Sequence, residues 1–173
     1  VWPRASQVDA IASFVDSGML VESNRARSMG VQVRRAVAAI PDFADPHLGL
    51  SAQGLARGSS LFDLVRASPI IAQQRQALQK LKVAGDSEFG FDLDIPLADA
   101  PAFRLDGDVV LADTGVDNDD WNLHLAQLHG RLDFDRNGFN ATQLDTLVHG
   151  QPATLAIAVG GATGDPRQQL DAR

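Results

Sequence analysis

The residues in this chain best suited to chemistry are aspartates, and one group of them has the spacing of a calcium-binding loop. Asp133, Asp135, Asn137 and Gly138 read D-x-D-x-N-G, and side-chain oxygens at alternate positions are the ligands that Ca²⁺ takes in such loops. That loop needs an acidic residue at its twelfth position, where this chain has Leu144. Because both flanks alternate as strands do, the motif favours a β-hairpin turn with positive φ at Asn137 and Gly138.

A second acidic group, Asp113, Asp117, Asp119 and Asp120, precedes Trp121. Its carboxylates could bind calcium or, as a pair, act in hydrolysis. Nothing in the sequence singles out one pair, and charge runs usually face solvent. The sequence therefore favours a solvated loop between strands, with a calcium-binding or hydrolytic domain as an alternative.

The other residue types that catalyse reactions are missing or scattered. The chain has no Cys, which excludes thiolate metal sites and cysteine nucleophiles. The histidines, His47, His124, His129 and His149, do not have the spacing of metal ligands. Neither a nucleophile elbow nor a phosphate loop is present. We therefore expect no catalytic residue, no metal site, no cofactor and no enzymatic activity.

The net charge of −7 limits the partners of the chain. An acidic surface disfavours nucleic acid, because proteins bind phosphates mainly through Lys and Arg. The longest uncharged stretch, 146–164, contains His149, Pro152 and several Gly, so no membrane-spanning segment is expected. The chain opens at Val1 without Met, and we expect it to be a single module excised from a longer protein.

Three stretches align with one another without gaps. In each of them small or apolar residues occupy every second position, and a Gly follows four residues after the last. They are Val8 to Gly18, Leu105 to Gly115 and Leu128 to Gly138. A period of two predicts a strand, and the trailing Gly predicts a turn. The first and third stretches share a further Gly, at Gly30 and Gly150, where the second strand of each hairpin should end. The sequence therefore predicts repeated β-hairpins.

One region of helical character interrupts these hairpins. Ser59 or Ser60 can cap a short helix and Ser68-Pro69 can begin a second one, which predicts a helix–turn–helix over about 58–83. Because the strands resume without a βαβ rhythm, we expect a mainly β fold with a curved antiparallel sheet. The predicted order is hairpins over 1–57, the insert, hairpins over 84–160 and a tail over 161–173.

The cleanest alternation lies just after the insert. Four apolar residues, Phe89, Phe91, Leu93 and Ile95, alternate with Glu88, Gly90, Asp92 and Asp94. The resulting strand has one apolar face and one acidic or bare face. That apolar face is either a core covered by the insert or a second sheet, or the lining of an open trough. Alternation alone favours a core, because most half-apolar sheets are half-buried.

Over nearly its whole length the chain resembles the AsmA-like superfamily of Gram-negative envelope proteins, and within it the YhdP branch. Three short segments carry most of the resemblance: Ser68-Pro69, Ile95-Pro96-Leu97 and the L-x-G-x-L-x-F segment from Leu128 to Phe134. The resemblance implies a periplasmic module of a protein anchored in the inner membrane, built as a curled antiparallel sheet with an apolar interior. The implied role is the transfer of phospholipid between the inner and outer membranes, without catalysis.

On this resemblance, the expected partners are phospholipid acyl chains and neighbouring repeats of the parent protein. The candidate lining of the trough consists of apolar residues at alternating strand positions: Phe89, Phe91, Leu93, Ile95, Val109, Leu111, Leu123, Leu125, Leu132 and Phe134. The sequence does not fix which face of each strand is concave. A structural or protein-interaction module of the cell envelope is the alternative, because exposed sheet edges pair with other strands.

Overall fold

A computed structural model of the chain describes residues 3–68, 80–99, 102–148, 150–160 and 169–172. These residues form one antiparallel sheet whose spatial order follows the chain from β1 to β10. The strands are β1 (Ser6–Val15), β2 (Gly18–Ser28), β3 (Val31–Ile40), β4 (His47–Arg57), β5 (Lys82–Pro96), β6 (Arg104–Asn118), β7 (Leu123–Asp135), β8 (Gly138–Val148), β9 (Gln151–Gly160) and β10 (Gln169–Ala172). The prediction of a mainly β, antiparallel fold is confirmed.

A helix, α1 (Gly58–Ala67), lies between β4 and β5. It starts before both predicted Ser caps, and its N-cap residue, Arg57, makes no capping hydrogen bond through its side chain. The prediction of a Ser cap is therefore wrong. Because β5 begins at Lys82, the predicted insert extends two residues too far. Its second helix was predicted to begin at Ser68-Pro69 and to include Leu81, and residues 69–79 of that stretch lie outside the described residues.

The first and third hairpin stretches belong to two copies of one three-strand unit, β1–β3 and β7–β9. The second strands, β2 and β8, each have 11 residues, and the third strands, β3 and β9, each have 10. Gly30 and Gly150 form the matching turns with φ of +87° and +79°. Gln7 and Gln127 also match, with φ of +50° and +53°. The repeated hairpin is confirmed for these two stretches, including the two Gly positions where the second strands end.

The second hairpin stretch and the predicted tail differ in secondary structure from what the sequence predicts. Gly115 lies inside β6 rather than at a turn, because β6 continues to Asn118. The predicted tail contains β10, which pairs antiparallel with β9. Both differences arise from pairing with neighbouring strands, which the alternation within a single strand does not contain.

Irregularities in the sheet are stabilised by buried hydroxyl groups. In the first unit, the Ser23 hydroxyl donates a hydrogen bond to the Asp9 carbonyl over 2.8 Å, where the β1–β2 register shifts. In the second unit, the Thr146 hydroxyl donates to the Ala126 carbonyl over 2.8 Å, beside a shift in the β7–β8 register. Each hydroxyl therefore satisfies a carbonyl next to an interruption in the regular ladder.

The sheet has an apolar face and a polar face. Paired residues on neighbouring strands form rows across β4–β7, and successive rows point to opposite faces. One cross-strand row of the apolar face contains Leu50, Leu93 and Leu105. The adjacent row on the polar face contains Ser51, Asp92, Asp106 and Asp135. The apolar face holds three hydrophobic clusters, centred on Leu144 and Leu128, on Val31 and Phe89, and on Leu93 and Leu105.

Candidate functional site

All ten candidate lining residues lie in the hydrophobic clusters of the apolar face. Four of them are buried, namely Phe89, Leu93, Ile95 and Leu125, and the other six are half-buried. Phe91 contacts two of the clusters. Val109 of the second cluster pairs directly with Leu132 of the first. The structure therefore brings these residues together in a contiguous apolar surface across β5, β6 and β7.

Aromatic rings and strand glycines fit together on this surface. The rings of Phe89 and Phe91 stack with centroids 6.3 Å apart. The ring of Phe134 lies over Gly107, because a Cβ atom at Gly107 would approach Phe134 Cε2 within 2.9 Å. The Gly at this position is therefore required by the close approach of an aromatic ring and of the Gly90 carbonyl oxygen, 2.6 Å from such a Cβ atom, rather than by a turn.

Helix α1 packs on one end of the apolar face. Its Leu61 and Leu64 contact the cluster formed by Val31, Ala56 and Phe89. Phe89 is 6% exposed under this cover. The helix was predicted to lie on or beside the sheet, and it occupies the end of the candidate lining nearest to Phe89.

An open cavity of about 900 Å³ lies on the opposite, polar face. Its lining extends from β3 to β8, so this face is concave there, and two of the candidate lining residues, Phe91 and Phe134, also contribute atoms to it. Five carboxylates and two guanidinium groups contribute to it: Asp92, Asp106, Asp108, Asp133, Asp135, Arg35 and Arg131. Burying such charges against hydrocarbon is costly. This cavity is therefore distinct from the apolar trough that the resemblance implies.

The charges in the cavity pair both within one strand and across neighbouring strands. Arg131 Nε donates to Asp133 Oδ1 over 2.8 Å, and Arg131 Nη2 lies 3.5 Å from Asp108 Oδ1. The hydrogen bond to Asp133, with the charge of Asp108 beside it, raises the pKa of Arg131. Ser51 donates a hydrogen bond to Asp92. The sequence does not predict this cavity, because the alternating Asp residues indicate a polar face but not its curvature.

The calcium-like motif forms the tight connection between β7 and β8. Asp135 Oδ1 accepts hydrogen bonds from the backbone N–H groups of Asn137 and Gly138, over 2.6 and 2.8 Å. The predicted hairpin is confirmed. The predicted positive φ at Asn137 and Gly138 is wrong, because the Asp135 side chain holds the turn instead. Leu144, at the twelfth position, is 1% exposed and belongs to the core.

The second acidic group does not form one loop, and that prediction is wrong in part. Asp113 and Asp117 lie within β6, whereas Asp119 and Asp120 lie in a 3₁₀ turn. Among the residues that the structure describes, no group of His, Asp or Glu side chains is arranged to hold a metal ion.

These aspartates instead pair with basic side chains. Lys82 Nζ donates to Asp119 Oδ2 over 2.7 Å, and the hydrogen bond and charge of Lys82 hold the pKa of Asp119 below its ordinary value. Lys80 pairs with Asp120. His124 Nδ1 lies 3.0 Å from Asp117 Oδ1. These ion pairs lie at the connection from β6 to β7 and link it to the start of β5.

Comparison with known proteins assigns the chain to a family. The family described as "YhdP protein" matches residues 1–173. The chain belongs to the YhdP family. The earlier resemblance to the AsmA-like superfamily and its YhdP branch is thereby confirmed. No solved structure matches the chain.

One curated relative of this YhdP-family chain is named "Intermembrane phospholipid transporter YhdP" and comes from Escherichia coli (strain K12). It is 23% identical to the chain over 154 residues, which are 89% of this chain and 12% of the relative. The chain thus spans a small part of the length of the relative that it matches. No helix in the described ranges is both long and apolar enough to cross a membrane.

Proposed function

We propose that this chain is a non-enzymatic lipid-transfer module, which carries phospholipid by its acyl chains along the apolar face. The observation that carries the proposal is the contiguous surface formed by all ten candidate lining residues. Membership of the YhdP family and the name of the E. coli relative support a role in lipid transfer in general. The proposal goes further and assigns contact with the acyl chains to the candidate lining residues of the apolar face.

The dimensions and chemistry of this face suit an acyl chain. β5 has 15 residues, and at about 3.3 Å per residue it is longer than the half-thickness of a bilayer's hydrocarbon core, about 15 Å. Each CH₂ group that leaves water for such a surface contributes about 0.8 kcal/mol. Many similar contacts along a strand allow movement along the surface, since no single contact dominates the binding energy.

The same proposal places the module in the periplasm of a Gram-negative bacterium, as part of a parent protein anchored in the inner membrane. Its partners are phospholipid acyl chains and neighbouring repeats of that parent. The acidic polar face would remain in water, because its paired charges on Asp108, Arg131 and Asp133 are half-buried or exposed.

Phospholipid content tests the proposal directly. The purified chain is extracted with organic solvent and the extract is analysed by mass spectrometry, beside Phe91→Asp and Val110→Asp variants. Phe91 is half-buried on the apolar face, and Val110 is 40% exposed on the polar face. Circular dichroism establishes that each variant is folded. We expect lipid in the unmodified chain and in Val110→Asp, and none in folded Phe91→Asp. Equal lipid in all three would contradict the proposal.

A second candidate function, a structural or protein-interaction module, is favoured by the outer edge of β1. Every residue of β1 is exposed, including Ile11 at 72% and Phe14 at 71%. Within the described part of the chain, β1 pairs on one side only, with β2. Such an edge can accept a further strand. Strand-dependent assembly without bound lipid would favour this function over lipid transfer.

A further inference from the structure

The apolar surface beneath helix α1 has the same composition as the candidate lining next to it. Val31, Ala56 and Phe89 are buried under the helix. Phe91 packs against this cluster and also against the cluster of Leu93, so the covered surface continues into the rest of the lining without a polar break.

Within the described part of the chain, few contacts hold the helix on this surface. Of its residues only Gly58 is buried, and the side chains of Leu61 and Leu64 that contact the sheet are half-buried. Its ten residues are fewer than an isolated helix needs for stability in water. The ion pair between Arg66 and Asp63 and the stacking of Arg66 over Phe62 lie within the helix itself. These contacts support its helical form but do not fasten it to the sheet.

We propose that the surface beneath α1 is a further acyl-chain binding site, which α1 covers in the absence of lipid and leaves when an acyl chain enters. The inference rests on the proposed lipid-transfer function. Leu61 and Leu64 occupy the place that hydrocarbon would take. An acyl chain would replace their apolar contacts with contacts of the same kind, so the exchange does not leave Phe89 exposed to water.

The structure offers a position at which the helix can be fastened. A Cβ atom at Gly30, in the turn between β2 and β3, would lie 3.4 Å from Ser60 Cβ in α1. Cβ atoms of a disulfide are about 3.5–4.5 Å apart. The chain has no native Cys, so a Gly30→Cys/Ser60→Cys variant would form one defined bond. Because Gly30 has a φ of +87°, the Gly30→Cys single variant controls for backbone strain.

The experiment measures transfer of a pyrene-labelled phosphatidylglycerol from vesicles of phosphatidylethanolamine and phosphatidylglycerol to the chain. A disulfide that holds α1 on the sheet would lower the fraction of binding-competent protein. We therefore expect uptake of the labelled lipid to fall about tenfold or more in the oxidised double variant. Reduction should restore it, and each single variant should behave as the unmodified chain. Equal uptake by the oxidised and reduced double variant would overturn the proposal and make α1 a fixed end of the surface.

A second variant tests the inference independently of the disulfide. Leu61→Ala/Leu64→Ala weakens the docking of α1 and should speed uptake of the same probe, whereas unchanged or slower uptake would count against a displaceable cover. Absence of uptake by the unmodified chain, by contrast, would overturn the lipid-transfer function and this inference together. The two failures are therefore distinguishable.

Discussion

Val8 and Leu128 occupy corresponding positions in the two three-strand units, yet Val8 is 52% exposed and Leu128 is 2% exposed. The two units have matching strands and matching turns, so their local structure does not account for the difference. The neighbours do, because β7 lies between β6 and β8, whereas β1 pairs only with β2 in the described part of the sheet. Burial of this repeated position therefore depends on the strand that precedes the unit.

This relationship predicts opposite outcomes for one substitution at two equivalent sites. Leu128→Ala should lower the free energy of unfolding by about 2–5 kcal/mol, because it leaves a cavity in a packed cluster. Val8→Ala should change it by less than about 0.5 kcal/mol, as for most surface substitutions. Urea unfolding followed by circular dichroism measures both. A loss at Val8 as large as that at Leu128 would mean that the β1 edge is covered in solution.

The contact between Gly107 and Phe134 predicts that one added methyl group disrupts the apolar face. Gly107→Ala should cost about 1–3 kcal/mol, because a Cβ atom there overlaps both the ring and the Gly90 carbonyl oxygen. Gly115 lies in the same strand, and its nearest neighbour to an added Cβ would be the Leu125 carbonyl oxygen at 3.8 Å. Gly115→Ala should therefore be neutral or stabilising by up to about 1 kcal/mol. Thermal unfolding of both variants tests this, and equal stability would refute the close contact.

The hydroxyl of Thr146 is predicted to stabilise the irregular β7–β8 ladder. Thr146→Val keeps the β-branched shape but leaves the Ala126 carbonyl without this donor, which should cost about 1–3 kcal/mol. Thr142→Val, at an exposed position of the same strand, is the matched control and should change little. Chemical unfolding compares the two, and an equal effect at both positions would remove the role assigned to the Thr146 hydroxyl.

The pair formed by Lys82 and Asp119 has a defined pH dependence. Lys82 holds the pKa of Asp119 below its ordinary value of 3.8, so the stabilising effect of Asp119 is present above that pH and is lost as the pH falls through the lowered pKa. The pKa of Lys82 is raised above 10.5, so its effect is lost only as the pH rises through that higher value.

Carbon-detected NMR titration of the Asp119 carboxyl group measures this relationship. Lys82→Met should move the Asp119 pKa back towards 3.8. Lys80→Met is the control, because Lys80 pairs with Asp120 and its removal should have a much smaller effect. An Asp119 titration that is the same in the Lys82→Met variant would show that Lys82 is not the cause.

Much of the fold follows from local sequence patterns. Alternation of apolar residues predicts the strands around Phe89 to Ile95, and the paired glycines Gly30 and Gly150 predict the ends of two hairpins. The ends of β6 and the presence of β10 do not follow, because they depend on pairing with neighbouring strands. The pattern also fails in the turn before Gly138. Positive φ was predicted there, whereas a hydrogen bond from the backbone to the Asp135 side chain stabilises the turn instead.

The candidate site is predictable in composition but not in arrangement. Alternation selects ten apolar residues that all lie in the clusters of one face, and their role as a lining stays a prediction. It does not show that α1 covers Phe89, or that the open cavity of about 900 Å³ lies on the polar face. Both features arise from the curvature of the sheet and the position of the insert, which no single strand encodes.

Photo-crosslinking tests the central claim most directly. Benzoylphenylalanine is incorporated in place of Phe91 on the apolar face or of Val110 on the polar face, and the protein is irradiated with phospholipid vesicles. We expect a covalent phospholipid adduct, identified by intact-mass spectrometry, at position 91 and none at position 110. Adducts at 110 alone, or at neither position, would contradict the claim that the apolar face carries the acyl chains.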